Sequence, residues 1–215
     1  MAHKLIELVA FLGNPGREYE QTRHNAAWLL GSRLPFIDSL AWRKRFKGRY
    51  ADIDPRQLAS LAPPEPSGSA SQEAAAPLPP RAHFIIPETY MNKSGEAVSA
   101  AASFYRIPPE RILVVHDELE IPLGYLSLKF SGGLGGHNGL RSMQANFGTA
   151  DFWRLRIGIG RPDHPDIYGY VLSPFSQEER ERLEPVFAAG SALLIRSLLG
   201  EAEALLPEWK KKRVE

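Results

Sequence analysis

The chain has 215 residues, enough for one α/β domain with a full core, and it contains no cysteine, which excludes disulfides and thiolate chemistry and suits a reducing cytosol. Its net charge of +1 conceals two cationic runs, five Lys/Arg within residues 42–49 and four at 210–213, and each reads as a solvated face or tail or as a polyanion contact. Apolar runs such as 186–195 fall short of the roughly 20 residues of a membrane span, and Glu7 inside the first apolar stretch argues for a strand over a signal peptide. A soluble, cytoplasmic protein without a membrane segment is the expectation.

In chain order, the apolar run 8–12 stops at Gly13-Asn14-Pro15-Gly16, a strand followed by a tight turn. Thr22 suits an N-cap and places His24 in the first turn of a helix over 25–34, ended by Pro35. There the unpaired N–H groups and the positive dipole end disfavour an imidazolium and keep the ring available as a base. Residues 49–53 and 83–86 read as strands. Between them lies a Pro/Ala/Ser-rich stretch at about 61–80 with six of the eighteen prolines and almost nothing apolar to offset its ordering entropy. It reads as a mobile surface insertion. The alternative, a linker between domains, is disfavoured because the 50–60 residues before it form only half a core.

Residues 89–95 lead into an Ala-rich helix, 96–105, that Pro108-Pro109 ends. The unbroken apolar run 112–115 predicts a buried strand that delivers His116-Asp117-Glu118 at its carboxyl end. Residues 126–130 alternate like an edge strand, the glycines from Gly132 onward open a helix over 140–147, and 152–159 returns as a strand. Ser176 with Glu179 predicts a capping box before a long amphipathic segment, kinked or interrupted at Pro185 and ending near Gly200. The alternation predicts a single α/β domain over residues 1–200, a twisted mixed, mostly parallel sheet with helices on both faces, followed by a basic C-terminal tail at 201–215.

Asn14, Asn92, Asp117 and Asn138 share one structural address with His24, the rim outside the carboxyl ends of the strands. Singly, each fits a turn or cap residue. Together, a His base, a carboxylate able to hold its tautomer, and amides able to donate to an oxyanion make a hydrolytic set that needs neither Ser nor Cys.

Five stretches, in order, resemble the bacterial-type peptidyl-tRNA hydrolases: Gly13-Asn14-Pro15-Gly16 with Tyr19 and Thr22-Arg23-His24-Asn25; Thr89-Tyr90-Met91-Asn92-Lys93-Ser94-Gly95; His116-Asp117-Glu118-Leu119; Gly135-Gly136-His137-Asn138-Gly139-Leu140; and Arg154-Leu155-Arg156-Ile157-Gly158-Ile159-Gly160. The resemblance runs from about residue 4 to 199, apart from the insertion. It implies an enzyme that cuts the ester between a peptide and the tRNA 3′ ribose, binds the acceptor end and 3′ CCA, works as a monomer and needs no cofactor or metal. By matching positions it implies His24 as base and Asp117 as its orienting partner, and the chemistry of ester attack makes the Asn92 amide the expected oxyanion donor. Asn14, Asn92 and Asn138 would hold substrate, with Tyr19, Met91 and His137 lining the site, and Lys129 and Arg156 would contact tRNA phosphate. Ala27, Phe11, the insertion and the Lys-rich end depart from the family pattern.

Three other readings compete. His116-Asp117 as a phosphohydrolase metal pair lacks further ligands at helical spacing, and the glycines from Gly132 miss the dinucleotide-binding spacing. A non-hydrolytic RNA-binding factor on the same fold is separated from the enzyme by a turnover assay.

Overall fold

A computed structural model describes residues 5–61 and 78–214. Its strands are β1 Leu8–Phe11, β2 Arg43–Arg45, β3 Gly48–Ile53, β4 Ala82–Pro87, β5 Ile112–Glu118, β6 Tyr125–Phe130, β7 Trp153–Gly158 and β8 Lys212–Arg213. Its α-helices are α1 Ala26–Gly31, α2 Ser94–Tyr105, α3 Asn138–Phe147, α4 Ile167–Val171, α5 Gln177–Arg196 and α6 Ala202–Leu205.

All eight strands form one sheet in the order β2-β3-β4-β1-β5-β7-β6-β8. Parallel pairing is confined to the central four, β4-β1-β5-β7, and both flanks are antiparallel. "Mostly parallel" therefore describes the buried centre, where unbroken apolar strands are covered on both sides. Along β1 the pleat sends Val9 and Phe11 into a core with α1 and α5, and Leu8 and Ala10 into a second core with α2 and α3. The Phe11 ring packs against Gly31: a Cβ there would stand 3.3 Å from the ring. Ala27 is fully buried in the same core.

Several local expectations change. The helix expected over 25–34 is a short 3-10 turn, Arg23–Asn25, and then only α1. Thr22 does not cap it, since its hydroxyl donates to the Tyr19 carbonyl at 2.8 Å. Pro185 does not interrupt α5, because it lies on the exposed side where water can satisfy the carbonyl its ring leaves unpaired. The break falls instead at Gly200, in the left-handed region at φ 95°, within a π turn over Ser197–Glu201. The run Gln177–Leu205 does have the length and hydropathy of a membrane span. Its apolar face nevertheless packs on the sheet, with Leu183, Val186, Phe187 and Leu194 in the first core.

The insertion joins β3 to β4, antiparallel neighbours paired from Gly48↔Pro87 to Ile53↔Ala82, so it interrupts a connection within one sheet. Residues 62–77 lie outside the described part. The basic end is not a free tail: Ala202 and Leu205 are buried, the Trp209 carbonyl accepts from Leu128 N–H at 2.7 Å, and β8 pairs with β6. β6 is thereby flanked on both sides and is not the edge its alternation suggested.

Candidate active site

Chain crossovers leave β1 toward β4 and return to β5 on its other side, which opens a crevice at the carboxyl ends of β1, β4 and β5. His24 stands there on its 3-10 turn, and the residues beside it in sequence anchor that turn. The Arg23 guanidinium donates both to Glu179 (2.9 and 2.7 Å) and to the Ser173 hydroxyl and Pro174 carbonyl (2.6 and 2.7 Å), and packs over the Tyr170 ring. Burial opposes ionisation of Glu179, but the Ser176 N–H and Arg23 outweigh it and hold its pKa below the usual value. The predicted capping box is present, so one carboxylate closes the α5 N-terminus and fixes the histidine turn.

On the other side, Asn25 is fully buried and grips the Asn14 backbone twice: Asn14 N–H donates to its Oδ1 (2.8 Å) and its Nδ2 donates to Asn14 O (3.0 Å). Asn14 Oδ1 in turn accepts Met91 N–H at 2.8 Å. The Asn14 oxygen is thus spent on Met91, and its amide N–H₂ is left to donate into the cleft. Met91 itself is a floor residue with its side chain in the second core.

At the end of β5, Asp117 is almost wholly buried and receives two histidines. His24 Nδ1 lies 2.9 and 3.1 Å from its oxygens, and His137 Nε2 lies 3.0 Å from Oδ1. The His137 tautomer follows from its other nitrogen: Nδ1 accepts the Gly139 and Leu140 N–H groups (3.1 and 3.3 Å) and so caps α3, which leaves the proton on Nε2 for Asp117. His137 is therefore a capping and positioning residue, more than the wall expected of it. Burial opposes the Asp117 carboxylate, but His24 and His137 hold its pKa far below the usual carboxylate range. Burial also opposes a charged His24, yet the charge and hydrogen bond of Asp117 win and raise its pKa above 6.5. This reverses the expectation from the helix dipole, because a buried carboxylate at hydrogen-bond distance outweighs half a charge spread over a short turn.

His24, Asp117 and His137 are close enough together to suggest a metal cluster. Their donor pattern does not suit one, since the Nε2–H of His137 and the Nδ1–H of His24 both point at Asp117. His116 is turned away: its ring is fully buried, it donates from Nδ1 to the Asp117 carbonyl at 2.6 Å, and burial, with His137 beside it, pushes its pKa well below 6.5. It does not form a metal pair with Asp117.

The cleft has two lobes that meet at His24. One is lined by Asn14, Tyr19, Tyr90, Met91, Asn92 and Asn138, the other by Asp117, Glu118, Leu119, Gly135, Gly136 and Arg161. The Asn92 side chain makes no hydrogen bond among the described residues, whereas Asn138 Oδ1 accepts from Arg141 at 3.3 Å. Lys129 and Arg156 lie outside both lobes, in a separate groove across β6 and β7. The roles of four residues were missed in the sequence. Asn25 and Arg23 act through partners distant in the chain, and Tyr168, 74% exposed and lining both lobes, carried no motif. The fully buried Arg154 was missed as a prop: it donates to the Gly133 and Gly132 carbonyls (2.6 and 2.8 Å) and so supports the glycine loop that walls the second lobe.

Comparison with known proteins gives a consistent result. A family profile described as peptidyl-tRNA hydrolase matches residues 8–215. A peptidyl-tRNA hydrolase of Treponema pallidum (strain Nichols) is 45% identical, covering 97% of this chain and 96% of its own length. One from Neisseria meningitidis serogroup A is 44% identical over 92% and 93% of the two chains. Among solved structures, peptidyl-tRNA hydrolase from Acinetobacter baumannii superposes with a TM-score of 0.78 at 30% identity, covering 98% of this chain and 96% of that one.

Proposed function

Since this chain belongs to the peptidyl-tRNA hydrolase family and hydrolyses the ester that joins a peptide to tRNA, we propose that His24 is its general base and Asp117 the partner that sets the ring's tautomer. The observation that carries this assignment is the His24–Asp117 contact at 2.9 Å: with Nδ1–H committed to the carboxylate, the lone pair on Nε2 is the one left to take a proton from water. The ester is an activated acyl group, so this water attacks the carbonyl carbon directly. The carbonyl oxygen becomes the oxyanion, the Asn92 amide donates to it, and collapse expels the ribose oxygen, which takes the proton back from His24.

The lobe with Asn14, Asn92 and Asn138 takes the peptide end, because amides match the peptide groups beside the ester. A free aminoacyl-tRNA, with a charged α-amino group in that place, lacks those groups and is spared. Tyr19 forms a wall of this lobe and Met91 its floor, while His137 lines the second lobe. The second lobe takes the 3′ CCA end, since it lies toward the groove where Lys129 and Arg156 meet the phosphates of the acceptor end. The enzyme works as a cytoplasmic monomer on a single unit in which residues 201–214 complete the sheet of the domain expected over 1–200, with no membrane attachment, cofactor or metal. The test is turnover of a defined peptidyl-tRNA. His24→Ala should lower kcat by about 10²–10⁴-fold with affinity nearly kept, and the wild-type rate should hold in excess chelator. Loss on chelation, restored by a divalent ion, would overturn the metal-free mechanism.

A further inference from the structure

The basic run at the C-terminus is built into the Lys129/Arg156 groove. Residues Leu206, Pro207, Lys210 and Lys211 form one wall of it, opposite Leu128, Lys129, Phe130 and Arg156. One buried hydroxyl joins the walls: Ser127, fully buried, donates to the Lys210 carbonyl at 2.5 Å and accepts from Arg156 Nη2 at 2.7 Å. The backbone hydrogen bonds of β8, and that from Val214 N–H to the Gly124 carbonyl at 2.9 Å, fix the segment beyond.

The charges in this groove are unbalanced. Arg156 has one carboxylate nearby, Glu118 at 3.6 Å. Burial, and then Arg156 and Arg154, push the Lys129 pKa down, as happens when a cation is short of counter-charge. Lys210 and Lys211 are exposed, and no carboxylate among the described residues pairs with either, whereas the next residue, Lys212, is paired with Glu208. Lys129, Lys210 and Lys211 thus stand beside Arg156 with no ion pair of their own among the described residues, and the one carboxylate in the lining, Glu120, is taken by Arg161.

We propose that Lys210 and Lys211 belong to the tRNA-binding surface. In this assignment the C-terminal segment completes a four-cation groove that takes consecutive phosphates of one RNA backbone stretch, with riboses against Phe130 and Leu206. Ser127 is its positioning residue. The inference rests on the assignment of Lys129 and Arg156 to phosphate contact.

The test measures binding of uncharged tRNA to the full chain by fluorescence anisotropy over a salt series. Lys210→Gln with Lys211→Gln should weaken Kd about 3- to 10-fold near 0.1 M salt and flatten the log–log salt slope by about 1 to 2 units, as expected for two lost phosphate contacts. Lys212→Gln, the next residue and the first of β8 but paired with Glu208, should leave both unchanged. Ser127→Ala should weaken binding with a smaller change of slope, since the charges remain but are held less well. If Lys129→Gln weakens binding while the Lys210/Lys211 pair does not, this inference fails and the phosphate assignment stands. If neither does, the phosphate assignment itself falls. Equal losses for Lys212→Gln and the Lys210/Lys211 pair would mean that the strand has come loose and would overturn the groove.

Discussion

His24 can accept a proton only when neutral, and its pKa lies above 6.5 because Asp117 outweighs its burial. The rate should therefore rise with pH through an acid limb placed above 6.5 and reach its plateau beyond it. Asp117→Asn removes the charge and leaves the burial, so the limb should move below 6.5 while the plateau kcat falls, less than in His24→Ala, because an amide no longer enforces the tautomer. A pH profile of kcat/KM for both proteins decides this, and an unmoved limb in Asp117→Asn would mean that another group titrates there. Stability follows the same signs. The raised His24 pKa contributes below 6.5 and is lost as pH rises through the folded value, whereas the depressed Asp117 pKa contributes above the ordinary carboxylate value and is lost as pH falls.

At the level of elements, the 3-10 turn Met91–Lys93 that leads into α2 and the first turn of α3 bring Asn92 and Asn138 to the cleft, and the closeness of the two helices depends on Gly95. A Cβ at Gly95 would stand 2.2 Å from the Ser142 carbonyl oxygen, and the Gly95 N–H donates to the Ser142 hydroxyl at 3.0 Å. Gly95→Ala must push the two helices apart. Overpacking of this kind costs about 1–3 kcal/mol, which predicts a melting temperature lower by roughly 3–10 °C and a lower kcat as Asn92 shifts. Calorimetry with kinetics checks both, and an unchanged melting temperature would show that the helices accommodate the methyl without moving. The sheet's centre was legible in the sequence because apolar runs and turn residues are local signals: β1, β4, β5 and the Ser176–Glu179 box fall where the pattern puts them. So was the rim on which His24, Asn14, Asn92, Asp117 and Asn138 meet, since chain crossovers fix it. The partners were not legible. Arg23 meets Glu179 across 156 residues, Asn25 meets Asn14 only because a turn folds back, and the sign of the His24 shift depends on a carboxylate 93 positions away. The two-residue β8 has too few side chains to show any period at all.

For the whole molecule, the insertion is a test of how the sheet holds together. β3 and β4 pair over six residues each, so the connection between them needs only to close a loop. Halving a long loop changes closure entropy by only about 0.6 kcal/mol, and removal of residues 67–76 should leave the melting temperature and turnover nearly as they were. A large drop in either would mean that the segment packs on the body or on the substrate. The opposite end of the chain has a different bearing on the molecule's history. β8 covers the open edge of β6, a strand made more than eighty residues earlier, and synthesis runs from the N-terminus. Until residues 209–213 have been made and have emerged, β6 has bare backbone donors and acceptors along its outer side, the kind of edge on which another nascent strand can stick. Trp209 to Arg213 close that edge when they fold back onto β6. A pairing contributed so late in chain order therefore doubles as a guard: until residues 209–213 dock, the sheet keeps an adhesive side that the folded molecule hides.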